Sequence, residues 1–154
     1  MGIIKIKILL DADSCPKIVR DLILKRALKS GIKLIFAANR LIPGCEGAQM
    51  EICPETDNSA DDRIVELAEK NDIIITRDVP LAKRLIDKGS DVIDDRGRIF
   101  NVNNINEMLS LRNFTVGLAD NGFDIERIKN YNKKDLKAFA DSFDKLLTRN
   151  FKRK

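Results

Sequence analysis

Two aspartates, Asp11 and Asp13, stand on the short turn after the apolar run Ile8-Leu9-Leu10, and Asp78 follows a second run, Ile73-Ile74-Ile75. Asp61 falls in the first turn of the helix leading into that second strand, while Asn39 and Asp94-Asp95 follow two further strands. A single acid at a strand end or helix start is ordinarily a cap. Two on one sharp turn directly after a wholly apolar strand are harder to assign that way. Open α/β sheets bind ligands beyond the carboxyl ends of their strands, so such a sheet would gather Asp11, Asp13, Asp78 and Asp61 at one edge. Carboxylates so close repel one another, and an all-oxygen cluster is best neutralised by a hard cation, Mg²⁺ or Mn²⁺. A metal held there can polarise a phosphodiester and activate water.

The composition leaves room for that chemistry and removes much else. There is no histidine, which excludes Ser-His-Asp triads, histidine bases and histidine-ligated zinc. Tryptophan is absent and tyrosine occurs once, against an aromatic platform for stacked bases. Cys15, Cys45 and Cys53 are few, odd in number and not spaced as metal pairs, which predicts a reduced, cytoplasmic setting. The chain of 154 residues is 44% hydrophobic and 34% charged, which suits one domain over 1–154 and no membrane span. Its lysine-punctuated start, Ile3 to Ile8, is not the apolar stretch of a signal peptide.

The elements that must position these acids alternate in type. Ile3 to Leu10 reads as a strand, then a helix runs from Pro16 to a stop at Gly31, with Asp13 or Ser14 as its cap. Strands follow at 32–38 and 49–53, a helix from Asp57 to Asp62 onward with Ser59 and Asp62 at capping-box spacing, and a strand at 72–76. A helix opens at Asp78-Val79-Pro80 and ends at Gly89, a strand spans 91–94, and Asn104 caps a further helix. Residues 113–124 read as irregular, and a basic terminal helix covers 133–148 with a short basic tail at 149–154. The prediction is α/β, three layers, with about five mostly parallel strands and helices on both faces.

Charge is concentrated at the end. From Ile125 to Lys154 there are ten basic and four acidic residues, +6, so residues 1–124 carry −2. A near-neutral body with a basic end suits an anionic polymer, with Lys133, Lys134, Lys137 and Arg149 as phosphate contacts and Asn39 as a further substrate contact. A solvated lysine-rich helix face explains the same charges equally simply.

Several resemblances bear on these residues. Asp11-Ala12-Asp13-Ser14 resembles the nucleophile loop of haloacid-dehalogenase phosphatases, although the later acids fit that pattern poorly. Lys83 as a phosphate lysine and Cys15 as an activated thiol are weaker than their readings as a solvent-facing and a small buried residue. Asp11-Ala12-Asp13-Ser14-Cys15-Pro16 resembles the D-A-D-x-C-P signature of the YaiI/YqxD family of bacterial proteins. Ala60-Asp61-Asp62-Arg63-Ile64, Thr76-Arg77-Asp78-Val79-Pro80-Leu81-Ala82 and Arg96-Gly97-Arg98 followed by Asn104-Ile105 resemble its other motifs, in the same order. That resemblance implies a PIN-like domain, a superfamily rich in metal-dependent nucleases. It implies Asp11, Asp13, Asp61 and Asp78 as catalytic metal ligands, with Asp94 and Asn39 as outer candidates.

The expected function is a Mg²⁺- or Mn²⁺-dependent nuclease with RNA rather than DNA as its partner. The alternatives are a non-catalytic nucleic-acid-binding or regulatory module that keeps the acidic pocket and, third, a small-molecule phosphatase. The sequence leaves the oligomeric state open, a homodimer among the options.

Overall fold

Ile8, Leu9 and Leu10 are wholly buried, so the first strand is covered on both faces, as a central parallel strand must be. The computed structural model describes residues 6–55, 59–120 and 131–152. Strand β1 spans Lys7–Asp11 and runs through a one-turn 3-10 helix, Ala12–Ser14, into α1, Lys17–Ser30. Then come β2 (Lys33–Ala38), β3 (Gln49–Ile52), α2 (Ser59–Leu67), β4 (Ile73–Ile75) and α3 (Val79–Asp87). Strands β5 (Asp91–Ile93) and β6 (Ile99–Phe100) precede α4 (Ile105–Asp120) and α5 (Lys133–Lys152).

The strand order is β3-β2-β1-β4-β5-β6, all parallel except the β5–β6 hairpin. The chain winds outward from β1 in one direction and from β4 in the other, which makes the β1–β4 junction the point where the strand order reverses. Alternate residues of each strand serve opposite layers. Ile8, Leu10, Leu34, Phe36, Ile73 and Ile75 pack with Val19 and Ile23 of α1 and Phe139, Phe143 and Leu146 of α5. Leu9, Ile35, Ala37, Ile74 and Val92 pack with Ile64 of α2, Leu81 and Leu85 of α3 and Ile105 of α4. Among the described residues, no helix is long and apolar enough to cross a membrane.

The sheet has six strands rather than about five, because the two-residue β6 closes a hairpin too short to leave a pattern. Residues 113–120 continue α4 instead of being irregular. Asn113 and Gly117 are poor helix formers, but extending a nucleated helix costs little per residue. Helix α5 likewise continues through 149–152, the first part of the expected tail. The cap residue of α1 is Pro16, with no side-chain cap bond. For α4 the capping box pairs Asn101 with Asn104: each side-chain Oδ1 accepts the other's backbone N–H, at 3.0 and 2.8 Å. Asn132 and Asp135 repeat the arrangement before α5. Ser59 and Asp62 are engaged elsewhere, Ser59 Oγ with Pro54 and Asn39, and Asp62 with Arg84. The expectations for residues 3–5, 57–58, 121–124 and 153–154 lie outside the described residues.

The β5–β6 turn is pressed against α5. Gly97 has φ +87°, and a Cβ there would sit 2.4 Å from the Ala138 carbonyl oxygen. Ser142 Oγ donates to the Gly97 carbonyl at 2.7 Å, and the Tyr131 hydroxyl donates to the Asp95 carbonyl at 2.6 Å. Gly97→Ala is expected to lower stability by roughly 1–3 kcal/mol through overpacking against backbone, beyond its backbone strain. Gly44→Ala, at φ +80° with nothing within 4 Å, should lose only about 1 kcal/mol. Urea midpoints of the two variants check this; equal shifts would show that α5 yields at the contact.

Candidate functional site

The register that pairs Leu10 with Ile75 puts Asp11 level with Thr76 at the carboxyl ends of β1 and β4. Thr76 is buried, and its hydroxyl donates to Asp11 Oδ2 at 3.2 Å. Thr76 Oγ1 also accepts the Asp78 N–H at 3.0 Å, so one side chain ties both strand ends together. Asp78 caps α3, its Oδ1 accepting the Leu81 N–H at 3.0 Å, and Pro80 follows where a first helical turn tolerates it. Asp61, half-buried in the first turn of α2, faces this pair from across the crevice.

The electrostatics of these groups are coupled. Burial pushes the Asp61 carboxyl up to about 7, helped by the Asp78 charge, a hydrogen bond with Asp78, and the Asp11 charge; Arg84 opposes the rise. A carboxyl so placed holds a proton near neutrality that an ordinary aspartate has lost. Asp11, Asp61 and Asp78 therefore form one interacting group at the strand-order reversal.

The other candidates are placed apart from it. Asp13 turns toward the end of β2, where its Oδ2 accepts the Asn39 N–H at 2.8 Å and its Oδ1 lies 3.7 Å from Arg40 Nε. Asn39 Oδ1 accepts the Ser59 hydroxyl at 3.3 Å, which links the β2 end to the start of α2. Asp94 shapes the hairpin: its Oδ1 accepts the Arg96 and Arg98 N–H groups, both at 2.9 Å, while burial raises its carboxyl above the usual range. Lys133 and Lys134 are exposed, Lys137 pairs with Asp141 at 3.0 Å, and Arg149 is tied to Asp91 at 2.7 Å. Lys83 pairs with Asp87 on the surface of α3. Cys15 is a buried thiol that burial, and then Asp95, push far up, the reverse of an activated nucleophile.

Sequence reasoning gave no role to Thr76, Arg77 or Asp95. Arg77 and Asp95 are 18 residues apart and meet because β4 lies beside β5, which nothing local announces. Thr76 carried a weak signal as the first residue of the Thr76-Arg77-Asp78 motif.

All donors of the central group are carboxylate oxygens, a set suited to a hard divalent cation, and the like-charge crowding on Asp61 is what such a cation would relieve. Among the described residues, no three His, Cys, Asp or Glu side chains already stand in a metal-holding arrangement.

The model of the family described as "Uncharacterized BCR, YaiI/YqxD family" matches residues 9–149. A UPF0178 protein of Treponema denticola is 44% identical over 148 residues, covering 96% of each chain. Another, of Ectopseudomonas mendocina, is 37% identical over 93% of this chain and 97% of its own. One from Treponema pallidum is 40% identical over 88% of this chain and 77% of its own. No solved structure matches. The match to the family model takes in every acid of the crevice, and the chain belongs to the YaiI/YqxD family.

Proposed function

We propose that the protein is a divalent-cation-dependent phosphodiesterase acting on nucleic acid, RNA in preference to DNA. The observation that supports it most is the meeting of Asp11, Asp61 and Asp78 beyond the carboxyl ends of β1 and β4, where open α/β sheets place their ligands. Asp11, Asp61 and Asp78 would hold Mg²⁺ or Mn²⁺, while Asp13 is turned away toward Asn39. When bound, the cation polarises the phosphodiester and activates water. Thr76 aligns Asp11, and the α3 N-terminus fixes one oxygen of Asp78. The exposed lysines at the start of α5 supply a second, sequence-independent attraction for the strand.

A second reading, a nucleic-acid-binding module without turnover, draws support from the cap role of Asp78, which engages one of its oxygens. A short end-labelled single-stranded RNA separates the two. Cleavage in Mn²⁺ that stops in EDTA is expected. Calorimetric Mn²⁺ binding without cleavage of RNA or DNA would favour the second reading, and no Mn²⁺ binding would overturn the metal site.

A further inference from the structure

Arg77 lies between the two site residues Thr76 and Asp78, and its side chain turns toward the β5–β6 hairpin. There the Asp95 carboxylate, with only 3% of its side chain exposed, accepts Arg77 Nε at 2.6 Å and lies 2.5 Å from Nη2. Both contacts use one oxygen, Oδ2. Among the described residues Nη1 has no hydrogen bond, and 37% of the Arg77 side chain stays exposed. Asp95 is itself fixed, because its carbonyl accepts the Tyr131 hydroxyl and Arg96 stacks over that ring at 5.6 Å. Asp11, Cys15, Thr76, Arg77 and Asp95 line one crevice between the ends of β1 and β4 that is too narrow for a water molecule.

Burying a carboxylate against one arginine gains little stability by itself, since desolvation offsets most of the attraction. What the pair does secure is a guanidinium of fixed orientation, with donors left over at the rim. A guanidinium presented in that way matches a phosphate better than a mobile lysine does. Building on the phosphodiesterase reading, we infer that Arg77 is a substrate-binding residue that grips a phosphate of single-stranded RNA beside the one presented to Asp11, Asp61 and Asp78. Asp95 is its positioning residue. If the pair served only to tie the β4–α3 turn to the β5–β6 hairpin, its loss would affect folding and leave phosphate binding unchanged.

Anisotropy of a labelled single-stranded RNA, titrated in EDTA at several KCl concentrations, reads this contact without metal or turnover. Arg77→Gln is expected to weaken binding about tenfold and to lower the slope of log affinity against log salt by about 0.7. Arg77→Lys keeps the charge, so it should restore the slope while recovering only part of the affinity; it also serves as the folded control. Mn²⁺ affinity, measured separately by calorimetry, should be unchanged in both variants. Equal RNA affinity and slope in wild type and Arg77→Gln would overturn the assignment, as would a wild type that binds no RNA. A joint loss of Mn²⁺ and RNA affinity would also overturn it, assigning Arg77 to the shape of the acidic crevice. A wild type that binds RNA through Arg77 but takes up no Mn²⁺ would leave this inference standing and remove the metal-dependent reading.

Discussion

Asp61→Asn is expected to abolish most Mn²⁺-dependent RNA cleavage, a fall on the order of 10² to 10³, the size seen when one preorganised charge partner is lost from a transition state. The same substitution should stabilise the metal-free protein at alkaline pH. In the folded chain the Asp61 carboxyl is raised to about 7, so the native state keeps a proton that the unfolded chain releases in the ordinary aspartate range. That proton's contribution is fully present below the unfolded value and is lost as pH rises through about 7. Wild-type melting temperature should therefore fall between pH 5 and pH 8 in EDTA by an increment that Asp61→Asn lacks. With Mn²⁺ the order reverses, because added stability follows metal concentration over dissociation constant and the variant binds poorly. Melts of both proteins at two pH values, with and without Mn²⁺, check the whole set. A variant with the wild-type pH slope and the wild-type gain from Mn²⁺ would refute it.

Phe143→Ala should cost about 3–5 kcal/mol. Phe143 is wholly buried and stacks on Phe139 with ring centroids 5.2 Å apart, beneath a helix whose outer side is basic. Neutralising Lys133, Lys134 and Lys137 to Gln should change stability by less than about 0.5 kcal/mol, since they are exposed and the Lys137–Asp141 pair is a surface one. Their loss should instead flatten the salt dependence of RNA binding, by about 0.7 for each phosphate contact. Urea unfolding and salt-dependent anisotropy thus separate the two faces of α5. An unchanged salt slope in the triple variant would assign those lysines to solubility. Arg149 is left out of that set because Asp91 already neutralises it.

What could be read from the sequence was what depends on near neighbours. The apolar runs at 8–10 and 73–75, the Gly31 stop and the Val79-Pro80 helix start each lie within a few residues of the element they define. Because Asp11 and Asp78 lie just past those apolar runs, their meeting was legible once the sheet was taken as parallel. The turn of Asp13 toward Asn39 was not, since it depends on how a single 3-10 turn leaves β1. Nor was the Arg77–Asp95 pair, which needs the neighbour relation of β4 and β5. Strand β6 and the length of α4 escaped for the opposite reason: their local signals are too short or too mixed to outvote turn-like residues.

The covering of the sheet by α5 has a consequence for the order of synthesis. The layer formed by Leu9, Ile35, Ile64, Ile74, Leu81, Leu85 and Ile105 is complete once the chain has reached α4. The opposite layer still lacks Phe139, Phe143, Leu146 and Leu147, which α5 supplies. That helix packs on α1 and β5, far from it in sequence, so this half of the core closes only once α5 has been made. A nascent or truncated chain therefore displays an open apolar face over Ile73, Ile75 and Ile93, the kind of surface that chaperones hold and proteases clear. Helix α5 thus hides that face only in chains that extend through it.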